Sequence, residues 1–193
     1  MTEIKTEFPS SKDVEKELKR ERYKKKYKIS LRSTIFTLVA VAAIAVLVAT
    51  LWMPVLEIYG SSMTPSLEDG EIVVSTKGKD FKSGEIIAFY YNNNVLIKRV
   101  IATSGQWVNI TADGTVYVDG TELNENYISE KSFGDCDITL PYQVPENKIF
   151  VMGDHRSVSV DSRSSVIGCI SEEQIVGKIV FRVWPMEKFG ALG

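Results

Sequence analysis

A mainly β domain behind one membrane-spanning helix is what this sequence predicts, and three observations carry it. Ser33 to Met53, STIFTLVAVAAIAVLVATLWM, is an uncharged run of 21 residues. From Pro54 onward, short runs rich in β-branched and aromatic residues alternate with turn-forming residues. Past that point only Ser171 to Gln174 carries a helix start signal, with Ser171 placed to cap it.

The 193 residues allow one domain of ordinary size with appendages. The formal net charge of −2 hides an asymmetry. Residues 1–32 hold 11 Lys+Arg and 6 Asp+Glu, a net of +5, whereas residues 33–193 hold 12 and 19, a net of −7. A basic tail on an acidic protein points to two compartments. Residues 1–12 are expected to lack order. Asp13 to Lys28 reads as a charge-dense juxtamembrane helix, with Glu21 and Lys25 at pairing distance and lysines available to anionic headgroups. Nothing in the tail calls for nucleic acid.

At about 1.5 Å per residue, a helix over 33–53 spans the roughly 30 Å hydrocarbon core. Trp52 falls where an interfacial anchor is expected, and Pro54 ends the helix. The Lys/Arg excess before the run places the N-terminus in the cytoplasm and residues 54–193 outside. A cleaved leader would have an apolar region of about 7–15 residues. A core helix of so small a domain would keep a polar face. The run fits neither.

Beyond the anchor, Glu71 to Val74, Glu85 to Tyr91 and Val95 to Ile101 read as strands, separated by Asp69-Gly70, Ser83-Gly84 and Asn92-Asn93-Asn94. Val108 to Ile110 and Val116 to Val118 flank Asp113-Gly114, a hairpin signal, and Asp119-Gly120 makes a further turn. Leu123 to Asn147 is polar and patternless, hence loop. Strands return at Ile149 to Met152 and Ile175 to Trp184. Cys136 lies in a polar loop and Cys169 in an apolar segment; the outer face of a membrane permits a disulfide, and two unpaired thiols is the simpler reading.

Three stretches carry chemistry. Ser62 follows an extended run, Val55 to Tyr59, and Gly60, which lets backbone approach a ligand and frees amides to point at an oxyanion. Serine and proline beside glycine are equally the composition of a plain turn. Lys98 interrupts an apolar strand in which Leu96, Lys98 and Val100 share one face and Ile97, Arg99 and Ile101 the other. At least one of the two cations is therefore expected to be partly buried, unless this is an edge strand with both facing solvent. An unperturbed lysine, pKa near 10.4, is neutral in only about one molecule in 2,500 at pH 7. Burial lowers that pKa, and neutral lysine can take a serine proton. The third stretch, Gly153 to Arg163, is dense in polar groups after a buried-looking strand, as a loop that braces a site would be. It holds the only histidine, so Ser62, His155 and an aspartate as an ordinary triad is the rival arrangement.

Together and in this order, these stretches resemble bacterial type I signal peptidase. Ser62-Met63-Thr64-Pro65-Ser66-Leu67 looks like its serine box, Glu85 to Phe89 its next apolar box, Lys98-Arg99-Val100-Ile101 its lysine box, and Gly153-Asp154-His155-Arg156 through Asp161-Ser162-Arg163 its last. The resemblance implies an antiparallel β-sheet catalytic core over 54–193 with a smaller β insertion at about 106–147. It implies Ser62 as nucleophile and Lys98 as general base. Ser159 would orient the lysine by a hydrogen bond, and the Ser62 amide would serve the oxyanion. Asp161 with Arg163 would form a supporting salt bridge, and Asp154 and Arg156 would be scaffolding. Pockets for small residues at −1 and −3 of the substrate would fall on Leu56, Ile58, Leu67, Leu96 and Ile97, with the substrate bound as an extended strand. Gly60 stands where some members carry a second oxyanion donor, Ser66 replaces threonine, and His155 replaces the commoner asparagine.

The implied activity is membrane-bound serine endopeptidase, cleaving signal peptides from exported preproteins at the plasma membrane. It needs no metal or cofactor. The implied partners are signal peptides, the lipid bilayer and the secretion translocon, and no nucleic acid. Two other readings share these features. A self-cleaving Ser-Lys repressor would carry a DNA-binding domain where this chain has an anchor, and a non-catalytic binding relative would lack the serine or the lysine.

Overall fold

The computed structural model of the protein describes residues 10–78 and 80–192. The chain forms two compact units, residues 1–48 and 49–193. The expectation for residues 1–9 lies outside the described residues. Helix α1 begins at Ser11, inside the segment expected to lack order, and runs to Trp52 without interruption. The sequence predicts a tail helix and a separate spanning helix. They are one because residues 29–32, Ile-Ser-Leu-Arg, contain no glycine or proline to break the turn. Glu15 pairs with Lys19 at 2.8 Å, and Glu21 pairs with Lys24 at 2.7 Å in place of Lys25. Among the described residues, α1 holds the one stretch long and apolar enough to cross a membrane.

The second unit is mainly antiparallel β. Its strands are β1 (Val55–Glu57), β2 (Ile72–Thr76), β3 (Ile86–Tyr91), β4 (Asn94–Ala102), β5 (Trp107–Ile110), β6 (Val116–Val118), β7 (Thr121–Glu122), β8 (Tyr142–Gln143), β9 (Lys148–Met152), β10 (Ile170–Ser171), β11 (Ile175–Trp184) and β12 (Gly190–Ala191). The large sheet runs β1-β2-β11-β3-β4-β9-β10, with β12 pairing β11. The small sheet, β7-β6-β5-β8, lies entirely between β4 and β9 in sequence. A 3₁₀ turn at Glu172–Gln174 sits where a short helix is expected, and Gln174 Oε1 accepts the Ser171 N–H at 2.9 Å. A second at Met186–Lys188 had no signal in the sequence.

Turn chemistry sets the hairpins. Asn92 and Asn93 adopt φ of +44° and +63°, so two residues join β3 to β4 with the twist that flanking strands require. Asp119 and Gly120, at +50° and +79°, do the same between β6 and β7. Because β3 lies inside the sheet, both its faces are buried. Ile86 and Ala88 join a cluster with Ile58, Met63, Leu67, Val73 and Ile179, while Ile87 and Phe89 join Val100, Ile149, Val151 and Ile170. A third cluster binds β5 and β6 to the ends of β4 and β9 through Ile101, Val108, Val116 and Phe150. Cys136 and Cys169 are unpaired, and burial pushes the Cys169 thiol up to about 11.

Candidate active site

Strand β4 pairs with β3 on one side and β9 on the other, with Ile87 opposite Lys98 and Ile86 opposite Arg99. The edge-strand alternative is thereby removed. Lys98 and Arg99 are 4% and 6% exposed, so both cations are buried, within the expectation of at least one. Their fates differ. Arg99 is matched: it donates to both carboxylate oxygens of Asp154 at 2.8 and 2.6 Å, to Gly84 O at 2.6 Å and to Ser66 Oγ at 3.0 Å, and lies 3.9 Å from the Tyr127 ring centroid. Among the described residues Lys98 has no carboxylate partner. Its Nζ donates to Ser62 Oγ at 2.6 Å. Burial holds Lys98 down at about 8; Asp161 and Asp154 pull it back up and Arg163 pushes it lower. At pH 7 roughly one Lys98 in ten is then neutral, against about one in 2,500 for a free lysine.

Ser62 is presented by the turn that leaves β1. Gly60 takes φ +85°, which a residue with a Cβ adopts only under strain. The Gly60 N–H is spent on Asp69 Oδ1 at 2.6 Å, so this residue shapes the turn and does not serve an oxyanion. No hydrogen bond among the described residues takes up the Ser62 amide. That leaves one backbone donor beside the hydroxyl, as an oxyanion site requires.

Ser62, Lys98, Gly60, Ile58, Leu96 and Ile97 line one narrow cavity of about 70 Å³. The other two residues expected there lie elsewhere. Leu67 is wholly enclosed in the cluster behind Ile58 and Met63, and Leu56 lines a separate depression with Tyr90, Ile175 and Val176. Glu57 reaches the cavity, so alternation along β1 turns Leu56 away from it, and Ile58 escapes that alternation because it lies past the end of the strand.

The loop after β9 braces this arrangement from beneath. Asp161 Oδ2 accepts the Gly153 N–H at 2.9 Å and both its oxygens accept from Arg163 at 2.9 Å. Arg163 also donates to the carbonyls of Phe133 and Arg156 at 2.9 Å. Arg156 donates to Gly153 O at 3.0 Å and pairs with Glu125, Nη1 to Oε2 at 3.1 Å. Asp154 and Arg156 thus belong to two separate ion pairs, with Arg99 and Glu125. The Ser159 hydroxyl is buried without a hydrogen-bond partner, so the bond to Lys98 that the family resemblance implies is not formed. Nor does His155 complete a triad: its Nδ1 lies 3.0 Å from Thr64 Oγ1 and makes no bond to the Ser62 hydroxyl.

Gly153 has a role of its own, which its place in the packing gives it. A Cβ there would sit 2.5 Å from Ser62 O and 2.2 Å from Ser159 Oγ. Gly153→Ala is expected to displace the serine turn, cost about 1–3 kcal/mol of stability as overpacking does, and lower activity disproportionately. Unchanged melting and turnover in that variant would refute the close packing. Glu125 was missed outright, since it lies in the patternless segment. Among the described residues no group of three or more His, Cys, Asp or Glu side chains could hold a metal ion.

Comparison with known proteins places this geometry. The family described as signal peptidase, peptidase S26, matches residues 31–184. Signal peptidase IB of Staphylococcus aureus (strain COL) is 39% identical over 153 residues, covering 68% of this chain and 78% of that protein. A probable signal peptidase I-1 of Synechocystis is 38% identical over 147 residues, covering 68% and 71%. The crystal structure of a signal peptidase I from Enterococcus faecalis V583 aligns with a TM-score of 0.44 at 29% identity, over 51% of this chain and 96% of that one. With the family match spanning most of the chain and extending over all three chemical stretches, the protein belongs to the peptidase S26 family of signal peptidases.

Proposed function

We propose that this chain is a membrane-anchored endopeptidase that removes signal peptides from exported preproteins with Ser62 as nucleophile and Lys98 as general base. The observation that carries the reading is the 2.6 Å contact between Lys98 Nζ and Ser62 Oγ, made by a lysine that burial holds near 8 and that no carboxylate neutralises.

The steps follow from those atoms. Neutral Lys98 takes the Ser62 proton as Oγ attacks the scissile carbonyl carbon. The resulting oxyanion lies against the Ser62 N–H. Lys98 returns the proton to the leaving amine, the C–N bond breaks, and an acyl-serine remains. The mature protein departs as that amine; Lys98 then takes a proton from water as the water oxygen attacks the acyl carbon, and returns it to Ser62 Oγ as the ester C–O bond breaks, which frees the signal peptide as a carboxylic acid and restores Ser62. The narrow cavity formed by Ile58, Leu96 and Ile97 fits small side chains at −1 and −3. The apolar half of α1, with the Lys/Arg excess preceding it, supports a single-pass protein with a cytoplasmic N-terminus and an extracytoplasmic peptidase unit. Tethering enzyme and substrate to one bilayer raises their effective concentration. The secretion translocon would deliver that substrate.

The test is cleavage of a preprotein whose signal ends in Ala-x-Ala, by full-length protein in detergent or lipid from pH 6 to 10. Cleavage after the last alanine is expected, with kcat/KM rising about tenfold per pH unit below 8 and levelling above it, because only the neutral lysine is a base. A profile that is flat from pH 6 upward would remove Lys98 from the proton transfer. Absence of any cleavage would favour a binding protein.

A further inference from the structure

His155 holds both carbonyls that flank the Ser62 amide. Its backbone N–H donates to Ser62 O at 3.1 Å, and its ring Nδ1 lies 3.3 Å from Ser61 O. The Ser61 carbonyl also accepts the Thr64 N–H at 3.1 Å and the Thr64 hydroxyl at 2.8 Å. The contact to Ser61 O, an oxygen that can only accept, assigns the proton to Nδ1. A threonine hydroxyl has one proton, and here it goes to Ser61 O. Nδ1 can then meet Thr64 Oγ1, 3.0 Å away, only as a donor. Ser61 O is acceptor-only as well, so both ring contacts require a proton on Nδ1. One N–H is shared between the two oxygens.

The held carbonyl belongs to the same peptide unit as the Ser62 N–H. A trans peptide is planar, so its C=O and N–H point in opposite directions and cannot be aimed independently. Three donors on Ser61 O therefore fix where the Ser62 N–H points. Hydrogen bonds to a carbonyl also polarise its peptide and make the N–H at the other end a stronger donor. Resting on the reading of Ser62 as nucleophile, we propose that His155 is a positioning residue that clamps the Ser61–Ser62 peptide and thereby aims the oxyanion-binding amide. The ring does so by donating from Nδ1, a task an asparagine amide can also perform, which gives the histidine at this place a role without a triad.

A clamp on an oxyanion donor acts in the transition state and leaves substrate binding alone. Losing such a donor outright costs about 10²–10³ in kcat, and misaiming it costs less. For full-length His155→Leu in detergent, kcat on an Ala-x-Ala peptide is expected to fall about tenfold or more while KM stays within about twofold. His155→Asn, which restores an N–H donor, is expected to recover most of the loss. A peptide aldehyde of the same sequence supplies the second readout. It adds Ser62 Oγ to its carbonyl carbon, the serine proton passing through Lys98 to the product hydroxyl, and places that oxygen at the Ser62 amide. Its affinity should drop in His155→Leu by about the same factor as kcat, while the product carboxylate peptide binds as before. Equal losses for aldehyde and product, or a wild-type kcat in folded His155→Leu, would overturn the clamp. If His155→Leu does not fold, Thr64→Val strips a donor from the same carbonyl and carries the same expectation and the same refutation. The two levels separate cleanly: a Ser62→Ala variant that still cleaves sinks the dyad, whereas a silent Ser62→Ala beside a fully active His155→Leu sinks only the clamp.

Discussion

Lys98→Met should abolish cleavage and at the same time make the protein more stable at neutral pH. Removing a member of a nucleophile–base pair typically costs 10⁴-fold or more in kcat, and what survives comes from binding and the oxyanion donor. Ser62→Ala should be equally silent. The stability gain follows from the same burial that makes the lysine a base. Folding lowers Lys98 from 10.5 to about 8, a difference of roughly 3 kcal/mol at about 1.36 kcal/mol per unit. The sign is that of a depressed cation. Below pH 8 the lysine is charged in both states and the folded state bears the whole penalty. Between about 8 and 10.5 only the unfolded chain keeps the proton, so wild-type stability rises. Above 10.5 the penalty is gone. Methionine lacks the charge and fills a similar volume, but forfeits the bond to Ser62, worth about 1.5–3 kcal/mol when a charged group makes it. A net gain of about 1 kcal/mol at pH 7, shrinking toward pH 10, is the expected outcome of urea unfolding of the full-length protein. A loss of stability at pH 7 would mean that Lys98 is not desolvated in the folded protein, and the case for it as a base would fall with it.

That double effect also marks what could be read from the residues. A lysine in an apolar strand is visible in sequence because alternation puts Leu96 and Val100 beside it. Arg99 looked like its mirror image, and sequence could not tell the chemical cation from the structural one. What separates them is a carboxylate, Asp154, more than fifty residues away. The hairpins were legible because Asn92-Asn93 and Asp119-Gly120 encode their φ values locally. The single long helix was not, because a reader divides it at the change in composition near Arg32, whereas the backbone responds only to breakers. Leu67 was expected in the substrate pocket for its place in the serine box, yet a box fixes order along the chain, not which face reaches the cavity. His155 stood out only as a rival base. Its contacts depend on how the loop after β9 meets the serine turn, and nothing local encodes that.

Glu125→Gln should cost about 3–5 kcal/mol. Glu125 and Arg156 are 2% and 0% exposed at their side chains, so removing the carboxylate leaves a guanidinium with no charge to balance it and no water to take over. The contrast lies one strand away. Glu122 and Lys131 pair at a similar 3.0 Å, but both are roughly half exposed, and Glu122→Gln should cost less than about 1 kcal/mol. The difference in burial, not in distance, decides. The effect should also reach the active site, and the route can be named. Arg156 holds Gly153 O, and its own carbonyl holds Arg163, which with Asp161 fixes the Gly153 N–H. Gly153 packs against Ser62 O with no room for a methyl group. Loosening Arg156 should therefore lower kcat in the fraction of Glu125→Gln that remains folded, and the stability loss should be measurable by urea unfolding beside Glu122→Gln as the exposed control. If Glu125→Gln unfolds no more readily than Glu122→Gln, the ion pair is not desolvated. The loop that follows β7 would then not be what holds Arg156 in place.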